Sequence, residues 1–387
     1  MAKWDWLIQP KTVYTRAFVV RVILKATLLF VLVNLVYVVA QPLATINQMS
    51  VYNGLVSGRE RFPYADNPTE VYNLSIGSLE GMFAAHEISG GEHNGDEFRV
   101  LLLGDSGVWG WLLNNNETFS ACMNASGAQT ADGRNMRVYN LGYPITNVLK
   151  DTLILDFALQ YQPDAVVWFT TLEGMYDDDQ LSHPVIQSNR DRVLEIIAQN
   201  NLSLDTSRLP DAPTVFDNTI IGQRRELADW LRLQFYGVAW GITDFDHTNP
   251  RFFRSPVENF PPSEGIPNRG EIGVGELTTD LLAFDVLEAG VNLAQSENLP
   301  VLLVNEPIFR GSGANSDLRY NDLYPRWAYD SYREMLGELA TENDWNYVDL
   351  WDFVPADRFT DFPLHYDAEQ TCRVAETLIP LVIELAN

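Results

Sequence analysis

The chain contains few of the residue patterns that metal-binding and nucleotide-binding proteins require. It has two cysteines and five histidines in 387 residues, with no paired-cysteine motif, no His-x-x-x-His spacing and no calcium-loop pattern. It also has no glycine-rich phosphate loop, no internal repeat and no low-complexity tract. These absences exclude the familiar motif-based metal sites and a P-loop nucleotide site. We therefore expect no metal and no cofactor.

Basic residues are also scarce. Lysine and arginine total 26 against 52 aspartates and glutamates, so the formal net charge is −26 at pH 7. Binding to nucleic acid depends on clusters of lysine and arginine that neutralise phosphates. The charge balance therefore argues against nucleic acid as a partner. The length and the 46% hydrophobic content predict one enlarged globular domain with an appendage.

One long apolar stretch lies near the amino terminus, from Ala17 to Ile46. Its uncharged core, Ala26 to Ala44, is long enough to cross a bilayer. Residues 1–25 carry five basic side chains and one acidic one, and almost all the acidic residues lie beyond Leu43. By the positive-inside rule, residues 1–46 are a cytoplasmic tail and a single-pass anchor in the cell membrane, with the large domain outside the cytoplasm.

Two other interpretations of this stretch remain open. Val38-Val39-Ala40 is an acceptable cleavage site, so the segment could be a signal peptide. A buried core helix is the third option. The anchor and the signal peptide both predict an exported domain.

The segment FRVLLLGDSGVWGWLL, Phe98 to Leu113, predicts a buried strand that turns directly into a helix. The run Val100 to Leu103 is continuously apolar, as in a central parallel strand, and Gly104 ends it. Ser106 would then lie at the carboxyl edge of the sheet, where open α/β sheets bind ligands and where free backbone N–H groups suit an oxyanion. The alternative is a tight turn in which Asp105 or Ser106 only caps a helix.

A serine nucleophile needs a general base. Of the five histidines (His86, His93, His183, His247 and His365), His365 lies just before an amphipathic terminal helix, within Arg358 to Leu385. An imidazole that takes the serine proton is held in the correct tautomer by a carboxylate, and Asp361 is close enough in sequence for that role.

A Gly-Asp-Ser after the first core strand, with an aspartate and a histidine before the last helix, resembles the SGNH (GDSL) hydrolase superfamily. The resemblance implies a flavodoxin-like α/β fold, a parallel sheet with helices on both faces, here preceded by one transmembrane helix. It also implies a catalytic triad of Ser106, His365 and Asp361. The glycine of the family's second block is matched by Gly142 in Met136 to Pro144, which implies an oxyanion hole formed by the N–H groups of Ser106 and Gly142.

Two blocks depart from the family pattern. In Gln162 to Asp178, Thr171 and Glu173 stand where the family has glycine and asparagine. A charged Glu173 would repel an oxyanion unless it is protonated or turned away. The family's Asp-x-x-His is one residue longer here. The resemblance covers residues 98–180 and 300–387.

The remaining sequence predicts the β-α-β rhythm of a parallel sheet with additions. Residues 47–97 form a lead-in segment, and residues 98–387 form the α/β domain with an insertion at about 175–275. The other predicted elements are helices at 79–85, 147–161, 220–242 and 278–297, strands at 165–169, 300–307 and 345–352, and a loop or flap at 248–275.

The aromatic-rich helix at 220–242 is either an interfacial lid or an insertion helix packed against the sheet. The strand at 300–307 ends in Asn305 and Glu306, on the side where Ser106 is expected. Asp105, Glu173, Asn305 and Glu306 are therefore candidate pocket residues. Asn305 could supply the amide that the third block lacks.

The resemblance also implies a function. It points to an exported, membrane-tethered serine esterase or O-acyltransferase that forms an acyl-enzyme at Ser106. The substrate would be an acylated glycan or lipid of the cell envelope, and a multi-spanning acyltransferase is a possible partner. The alternative is a non-catalytic, carbohydrate-binding relic of the fold, and Glu173 is its main support.

The only two cysteines, Cys122 and Cys372, are expected on the helix that begins at Ser106 and on the helix that follows His365. In a flavodoxin-like fold the first and last helices cover the same face. An exported domain meets an oxidising compartment, which favours a disulfide between them. Two separate buried thiols remain the alternative.

Overall fold

The computed structural model describes residues 14–56, 58–66, 74–91, 95–243, 254–256, 275 and 277–386. Internal contacts divide the chain into two compact units. One unit consists of Met1–Ile46 and Asp211–Asp229, and the other of Asn47–Pro210 and Trp230–Asn387. The second unit contains the sheet and every residue of the candidate site described below.

The second unit is built on a five-stranded sheet in which all paired strands are parallel. Its strands are β1 (Glu97–Leu103), β2 (Asn135–Asn140), β3 (Ala165–Thr170), β4 (Val301–Asn305) and β5 (Asn346–Asp349). Their order across the sheet is β2-β1-β3-β4-β5. In register, Val100 lies beside Val138 of β2 and beside Ala165 of β3. This order puts a topological switch point between β1 and β3, next to the end of β1.

Helices account for most of the remaining regular structure. The α-helices are α1 (Arg16–Ala40), α2 (Pro42–Asn47), α3 (Asn53–Val56), α4 (Leu79–Ala85), α5 (Ser106–Trp109), α6 (Phe119–Ala125), α7 (Val148–Ala158), α8 (Leu172–Met175), α9 (Pro184–Ser188), α10 (Arg190–Asn200), α11 (Arg224–Thr243), α12 (Phe284–Ser296), α13 (Arg326–Glu342) and α14 (Ala368–Glu384). The 3₁₀ turns are Glu87–Ser89, Asn115–Glu117, Leu159–Tyr161, Asp177–Ser182, Thr206–Arg208, Thr279–Leu281 and Ala356–Arg358.

Hydrophobic cores lie on both faces of the sheet because successive strand residues point to opposite sides. In β1, Leu101 and Leu103 pack into the larger core together with α4, α7, α12 and α13. Val100 and Leu102 pack into the second core together with α6 and α14. The prediction of a parallel α/β sheet with helices on both faces is confirmed.

Most predicted elements are present with small differences at their ends. The helix predicted at 79–85 has those bounds as α4, and the helix predicted at 220–242 is α11. The strand predicted at 165–169 is β3, one residue longer. The predicted flap at 248–275 falls almost entirely outside the described residues.

The prediction of one helix from Ser106 to Cys122 is wrong. α5 ends after a single turn at Gly110, which adopts a left-handed conformation (φ +94°), and its N–H donates to the Ser106 carbonyl. A Cβ on Gly110 would lie 2.7 Å from Thr118 Cγ2, so only glycine allows the chain to turn back this closely. Cys122 lies on the separate helix α6.

The predicted disulfide is confirmed. Cys122 on α6 and Cys372 on α14 are bonded, with their Cα atoms 5.2 Å apart. The two helices pack side by side in the second core, where Phe119 and Met123 of α6 meet Val374 and Leu378 of α14. Helices α6 and α14 therefore cover the same face of the sheet.

The first unit contains α1, whose 25 residues are long and apolar enough to cross a membrane. Thr15 caps its amino end by accepting a hydrogen bond from the Phe18 N–H (3.2 Å). The nitrogen and the oxygen of the Asn34 side chain are both hydrogen-bonded. Its amide donates to the Phe30 carbonyl (2.9 Å), and its oxygen accepts from the Ile220 N–H (3.2 Å).

Candidate active site

Ser106 follows the carboxyl end of β1 and is the first residue of α5. The turn between them needs Gly104, because φ there is +151° and a Cβ would lie 2.6 Å from Val108 Cγ2. Asp105 caps the short helix, with its Oδ1 accepting from the Gly107 N–H (2.7 Å). This tight turn leaves the Ser106 side chain half-buried at the carboxyl edge of the sheet.

Ser106, His365 and Asp361 form one hydrogen-bonded chain. Ser106 Oγ lies 2.8 Å from His365 Nε2, and His365 Nδ1 lies 2.9 Å from Asp361 Oδ1. A carboxylate accepts hydrogen bonds only, so Nδ1 carries the ring proton and Nε2 is free to accept the serine proton. The arrangement can therefore deprotonate a serine hydroxyl at the moment of attack.

The loop between Asp361 and His365 accommodates the extra residue by folding back on itself. The Thr360 N–H donates to the His365 carbonyl (2.8 Å), and the His365 N–H donates to the Phe362 carbonyl (3.0 Å). Gly107 lets this loop approach the serine, because a Cβ there would lie 3.0 Å from the Leu364 carbonyl oxygen. The longer spacing thus still brings the imidazole to Ser106.

Trp111 supports the carboxylate of Asp361. Its indole Nε1–H donates to Asp361 Oδ2 (3.1 Å), and its ring lies 6.2 Å from the His365 ring, centroid to centroid. Partial burial by itself raises the pKa of Asp361, but the hydrogen bonds and charge of His365 and the bond from Trp111 outweigh burial and lower it. Asp361 is therefore ionised at neutral pH, as a partner of an imidazolium should be.

The two predicted oxyanion donors differ in the structure. Within the described part of the chain, no acceptor lies within hydrogen-bonding distance of the Ser106 N–H. The Gly142 N–H donates to Asn140 Oδ1 (3.1 Å). Gly142 also packs against α5, since a Cβ there would lie 2.7 Å from the Trp109 nitrogen. Its role as an oxyanion donor stays a prediction and requires Asn140 to share or release that N–H.

Asn140, at the end of β2, is a site residue that the sequence analysis missed. Besides accepting from Gly142, its amide donates to the Val108 carbonyl of α5 (2.9 Å), and it is fully buried. Its own carbonyl lies 3.0 Å from His86 Nε2. Asn140 therefore ties the loop after β2 to the helix that carries Ser106. The bond between Asn140 and α5 is visible only once β2 is paired with β1.

Lys150 was also missed, and it is the only lysine after residue 25. It is completely buried on α7, where Nζ donates to the carbonyls of Gly104 (2.9 Å) and Tyr143 (2.5 Å) and pairs with Asp151 (3.0 Å). The ammonium group thus joins the serine turn to the loop that contains Gly142. The scarcity of lysine in the domain was the one signal in the sequence that could have singled it out.

Arg61 braces the serine helix from the lead-in segment. Its guanidinium is buried and donates to the carbonyls of Gly110 (3.0 Å) and Leu113 (3.2 Å). It also lies over the Trp109 ring, 4.5 Å from the ring centroid. A buried arginine that caps carbonyls at the end of α5 holds that end in place. The lead-in segment is therefore part of the support of the site.

Two of the predicted pocket residues, Asp105 and Glu306, lie beneath the serine turn. Both are buried, and Glu306 Oε2 lies 3.9 Å from the point that a Cβ on Gly107 would occupy. Asp105 Oδ2 has no hydrogen-bond partner among the described residues. Burial, with the nearby charges of Asp105 and Asp151, raises the pKa of Glu306 well above its ordinary value, although Lys150 opposes the shift. Burial therefore favours the protonated form of Glu306.

The amide of Asn305, a candidate pocket residue, is hydrogen-bonded to the neighbouring strand. Asn305 is fully buried, and its amide donates to Asp349 Oδ1 at the end of β5 (2.8 Å). Asp349 is held in turn by Arg333 of α13 (2.5 Å). The neighbouring strand captures the amide because parallel strands β4 and β5 end side by side. Asn305 therefore links β4 to β5, and its role as an amide donor to the pocket stays a prediction that requires this bond to be shared or released.

Glu173 lies half-buried on α8, the short helix after β3. It lines a small cavity of about 150 Å³ that the loops after β2 and β3 enclose, together with residues such as Asn147 and His183. Ser106, His365 and Asp361 do not line this cavity. It stays a prediction that Glu173 is turned away from Ser106 or else is partly protonated at neutral pH.

His86 and His183 have structural roles. His86 is fully buried, and its Nδ1 accepts from the Ile88 N–H (3.1 Å). His183 Nδ1 accepts from the Val185 N–H (3.2 Å), so its Nε2–H donates to the Pro144 carbonyl (3.1 Å). Burial lowers the pKa of His86 to about 4 and, together with the charge of Lys150, that of His183 to about 3. Both rings are therefore neutral. His93 and His247 lie outside the described residues.

No cluster of three or more histidine, cysteine or acidic side chains suited to a metal ion occurs in the part of the chain that the structure describes.

No protein-family model matches the sequence, and no curated protein matches it. Solved structures similar to the chain include two carbohydrate acetylesterases. One is a carbohydrate acetylesterase family member from Sinorhizobium meliloti, with 13% identity, a TM-score of 0.32 and coverage of 74% of this chain and 98% of that chain. The other is a carbohydrate acetylesterase from the same organism, with 13% identity, a TM-score of 0.31 and coverage of 74% and 99%.

Proposed function

We propose that the chain is a serine esterase of the SGNH hydrolase type, or a related O-acyltransferase, that forms an acyl-enzyme at Ser106. The hydrogen-bonded chain of Ser106, His365 and Asp361 carries this proposal. An oriented serine, imidazole and carboxylate make up the minimal apparatus for covalent acyl transfer.

In the first half of the reaction, Ser106 Oγ attacks the ester carbonyl carbon while its proton passes to His365 Nε2. The carbonyl oxygen becomes an oxyanion that accepts a hydrogen bond from the Ser106 N–H. It also accepts from the Gly142 N–H, once the Asn140 side chain shares or releases that donor. The intermediate then collapses, breaking the bond to the alkoxy oxygen. His365 returns its proton to this leaving alcohol, and the acyl group stays on Ser106.

In the second half, water or an acceptor hydroxyl gives its proton to His365 and attacks the acyl carbonyl. The bond to Ser106 Oγ breaks and the serine regains its proton. Water yields a free acid, and a glycan hydroxyl yields a new ester. Hydrolase and transferase therefore share every residue of the site and differ only in the acceptor.

We further propose that α1 tethers the domain to the outer surface of the cell membrane and that the substrate is an ester of a cell-envelope glycan or lipid. Two observations support export: the length and apolar composition of α1, and the Cys122–Cys372 disulfide, since such bonds persist mainly in oxidising compartments. A multi-spanning acyltransferase in the same membrane is the partner we propose for the transferase version.

The test is labelling with a fluorophosphonate probe, which reacts with activated serines. We expect the wild-type chain to be labelled, Ser106→Ala to be unlabelled, and Ser296→Ala, at an exposed serine ending α12, to be labelled like the wild type. Labelling that persists in Ser106→Ala would contradict the proposal.

A second candidate function is a non-catalytic, carbohydrate-binding relic of the fold. It is favoured by Glu173 in place of the expected amide and by the hydrogen bond that occupies the Gly142 N–H. This candidate predicts that the folded wild-type chain is not labelled and does not hydrolyse a small acyl ester.

A further inference from the structure

Helix α11 is apolar on two opposite faces. At 3.6 residues per turn, Leu231, Phe235, Val238 and Ile242 fall within a sector of about 60°. The buried residues Leu233, Gly237 and Trp240 lie on the opposite side. One apolar face of α11 therefore packs into the second unit, and the other points away from it.

The buried face of α11 packs on the segment that follows α2. The Val51 N–H donates to Gln234 Oε1 (2.8 Å), and Trp230 Nε1 donates to the Met49 carbonyl (3.2 Å). A Cβ on Gly237 would lie 2.1 Å from the Tyr52 ring, so helix and segment are in close contact. The two pieces of chain therefore form one surface.

This surface carries exposed apolar side chains, which we call the outer apolar face. Its residues are Met49, Val51, Leu231, Phe235, Val238 and Ile242, and each is between 39% and 77% exposed. All six side chains are hydrophobic. Soluble proteins rarely leave a contiguous apolar patch of this kind in water unless something covers it.

One end of the outer apolar face lies close in sequence to α1, which indicates that lipid covers it. Met49 follows the last residue of α1 by nine residues, six of which form α2. With α2 helical, these residues span about 20 Å at most. The headgroup layer beyond the hydrocarbon core is roughly 5–8 Å deep on each side. Met49 is therefore tethered close to the membrane surface whenever α1 spans the bilayer.

The other end of the face is also linked to α1. Ile220, four residues before α11, donates its N–H to Asn34, which lies six residues before the end of α1. The chain enters α11 from a contact with the spanning helix itself and continues as one helix for 20 residues. Both chain segments that build the outer apolar face are therefore tied to the membrane anchor.

We infer that the outer apolar face is seated in the lipid interface, with α11 lying along the membrane surface and its outward stripe among the upper acyl chains. Helices with one apolar stripe bind at this depth through buried apolar area. The inference rests on the proposed membrane tether. It gives the domain a second attachment to the membrane besides α1.

The test uses the full-length chain in lipid nanodiscs with one added cysteine, because both native cysteines are bonded. Phe235→Cys carries a bimane label on the outer apolar face. Leu318→Cys, at an exposed apolar residue in the loop before α13, is the matched control. We expect spin-labelled lipid to quench the label at position 235 several-fold more strongly than at 318, and aqueous iodide to show the reverse order.

Equal quenching by iodide at both positions, with no lipid quenching at 235, would overturn the inference. Protection of position 235 from both quenchers would also overturn it, because a protein surface would then cover the face. The tether is tested separately, by flotation of the full chain with vesicles after an alkaline carbonate wash. If the chain floats with the vesicles but the label at position 235 is quenched only by iodide, the anchor is retained and the inference about the outer apolar face is overturned.

Discussion

The two ends of the Ser106–His365–Asp361 chain are held in different ways. The serine turn is surrounded by buried ionisable side chains from three distant segments: Arg61 of the lead-in segment, Lys150 of α7 and Glu306, which follows β4. The aspartate and histidine lie on a loop in which Asp361 has 30% of its side chain exposed. That loop is supported mainly by its own backbone bonds, by Trp111 and by the disulfide-bonded helix α14 that follows it.

This difference shows that the serine is positioned by the folded core, whereas the histidine is positioned mainly by its own loop. Buried ion pairs are costly to break, because removing one partner leaves an uncompensated charge. A partly exposed loop held largely by backbone hydrogen bonds loses less when one bond is removed. Substitutions on the serine side should therefore act mainly on stability, and substitutions on the histidine side mainly on rate.

The largest effect is expected from His365→Ala. Loss of the base should lower the rate of small-ester hydrolysis roughly several thousand-fold while the protein stays folded. The double variant Ser106→Ala/His365→Ala should be no slower than either single variant, because the residues act as one unit. His183→Gln, which retains a donor to the Pro144 carbonyl, should stay within a few-fold of the wild type. Near-normal activity in His365→Ala would exclude this histidine as the base.

Lys150→Met tests the serine side. We expect it to lower the free energy of unfolding by about 3–5 kcal/mol, because Asp151 and two backbone carbonyls lose a buried cation. Urea denaturation measures this loss. The double variant Lys150→Met/Asp151→Asn should recover part of it, since the unpaired carboxylate is gone. A single variant as stable as the wild type would show that the ammonium group does not brace the turn.

Removal of the disulfide tests the histidine side. Replacing Cys122 and Cys372 by serine should lower the free energy of unfolding by about 2–5 kcal/mol. The turnover of the molecules that remain folded should fall much less than in His365→Ala. Dithiothreitol should destabilise the wild type to a similar degree and leave the double-serine variant unchanged. A reductant effect on that variant would point to another cause.

The smallest effect is expected from Glu306→Gln, and it appears only as a change in the pH dependence of the free energy of unfolding. Burial raises the pKa of Glu306 in the folded state. The resulting contribution to stability is therefore complete at pH values below the ordinary pKa of a glutamic acid. That contribution is lost as the pH rises toward the folded-state pKa. Glutamine cannot ionise, so the stability of the variant relative to the wild type should increase between pH 5 and pH 9.

Glu338→Gln, at an exposed position on α13, is the control and should show no such trend. A parallel pH dependence for wild type and Glu306→Gln would mean that Glu306 does not contribute to it. The measurement is urea denaturation at a series of pH values.

The sequence by itself determined the sheet, the residues of the hydrogen-bonded chain, the disulfide pair and the apolar amino-terminal helix. The strand, the serine turn and the apolar helix depend on local patterns, whereas the pairing of Ser106 with His365 and the disulfide depend on the fold that the family resemblance implies. A continuously apolar run marks a central strand, Gly-Asp-Ser marks a tight turn at its end, and a 25-residue apolar helix is recognised by length and composition.

Only the tertiary structure decided how the polar groups around Ser106 are partnered. Asn305 turns to Asp349 because β4 and β5 end side by side, and the Gly142 N–H meets the Asn140 side chain. Lys150 acquires its role from carbonyls at Gly104 and Tyr143 that only the folded chain brings to it. A buried polar group must find a partner among whatever groups the fold brings within about 3 Å, and sequence spacing does not specify that set.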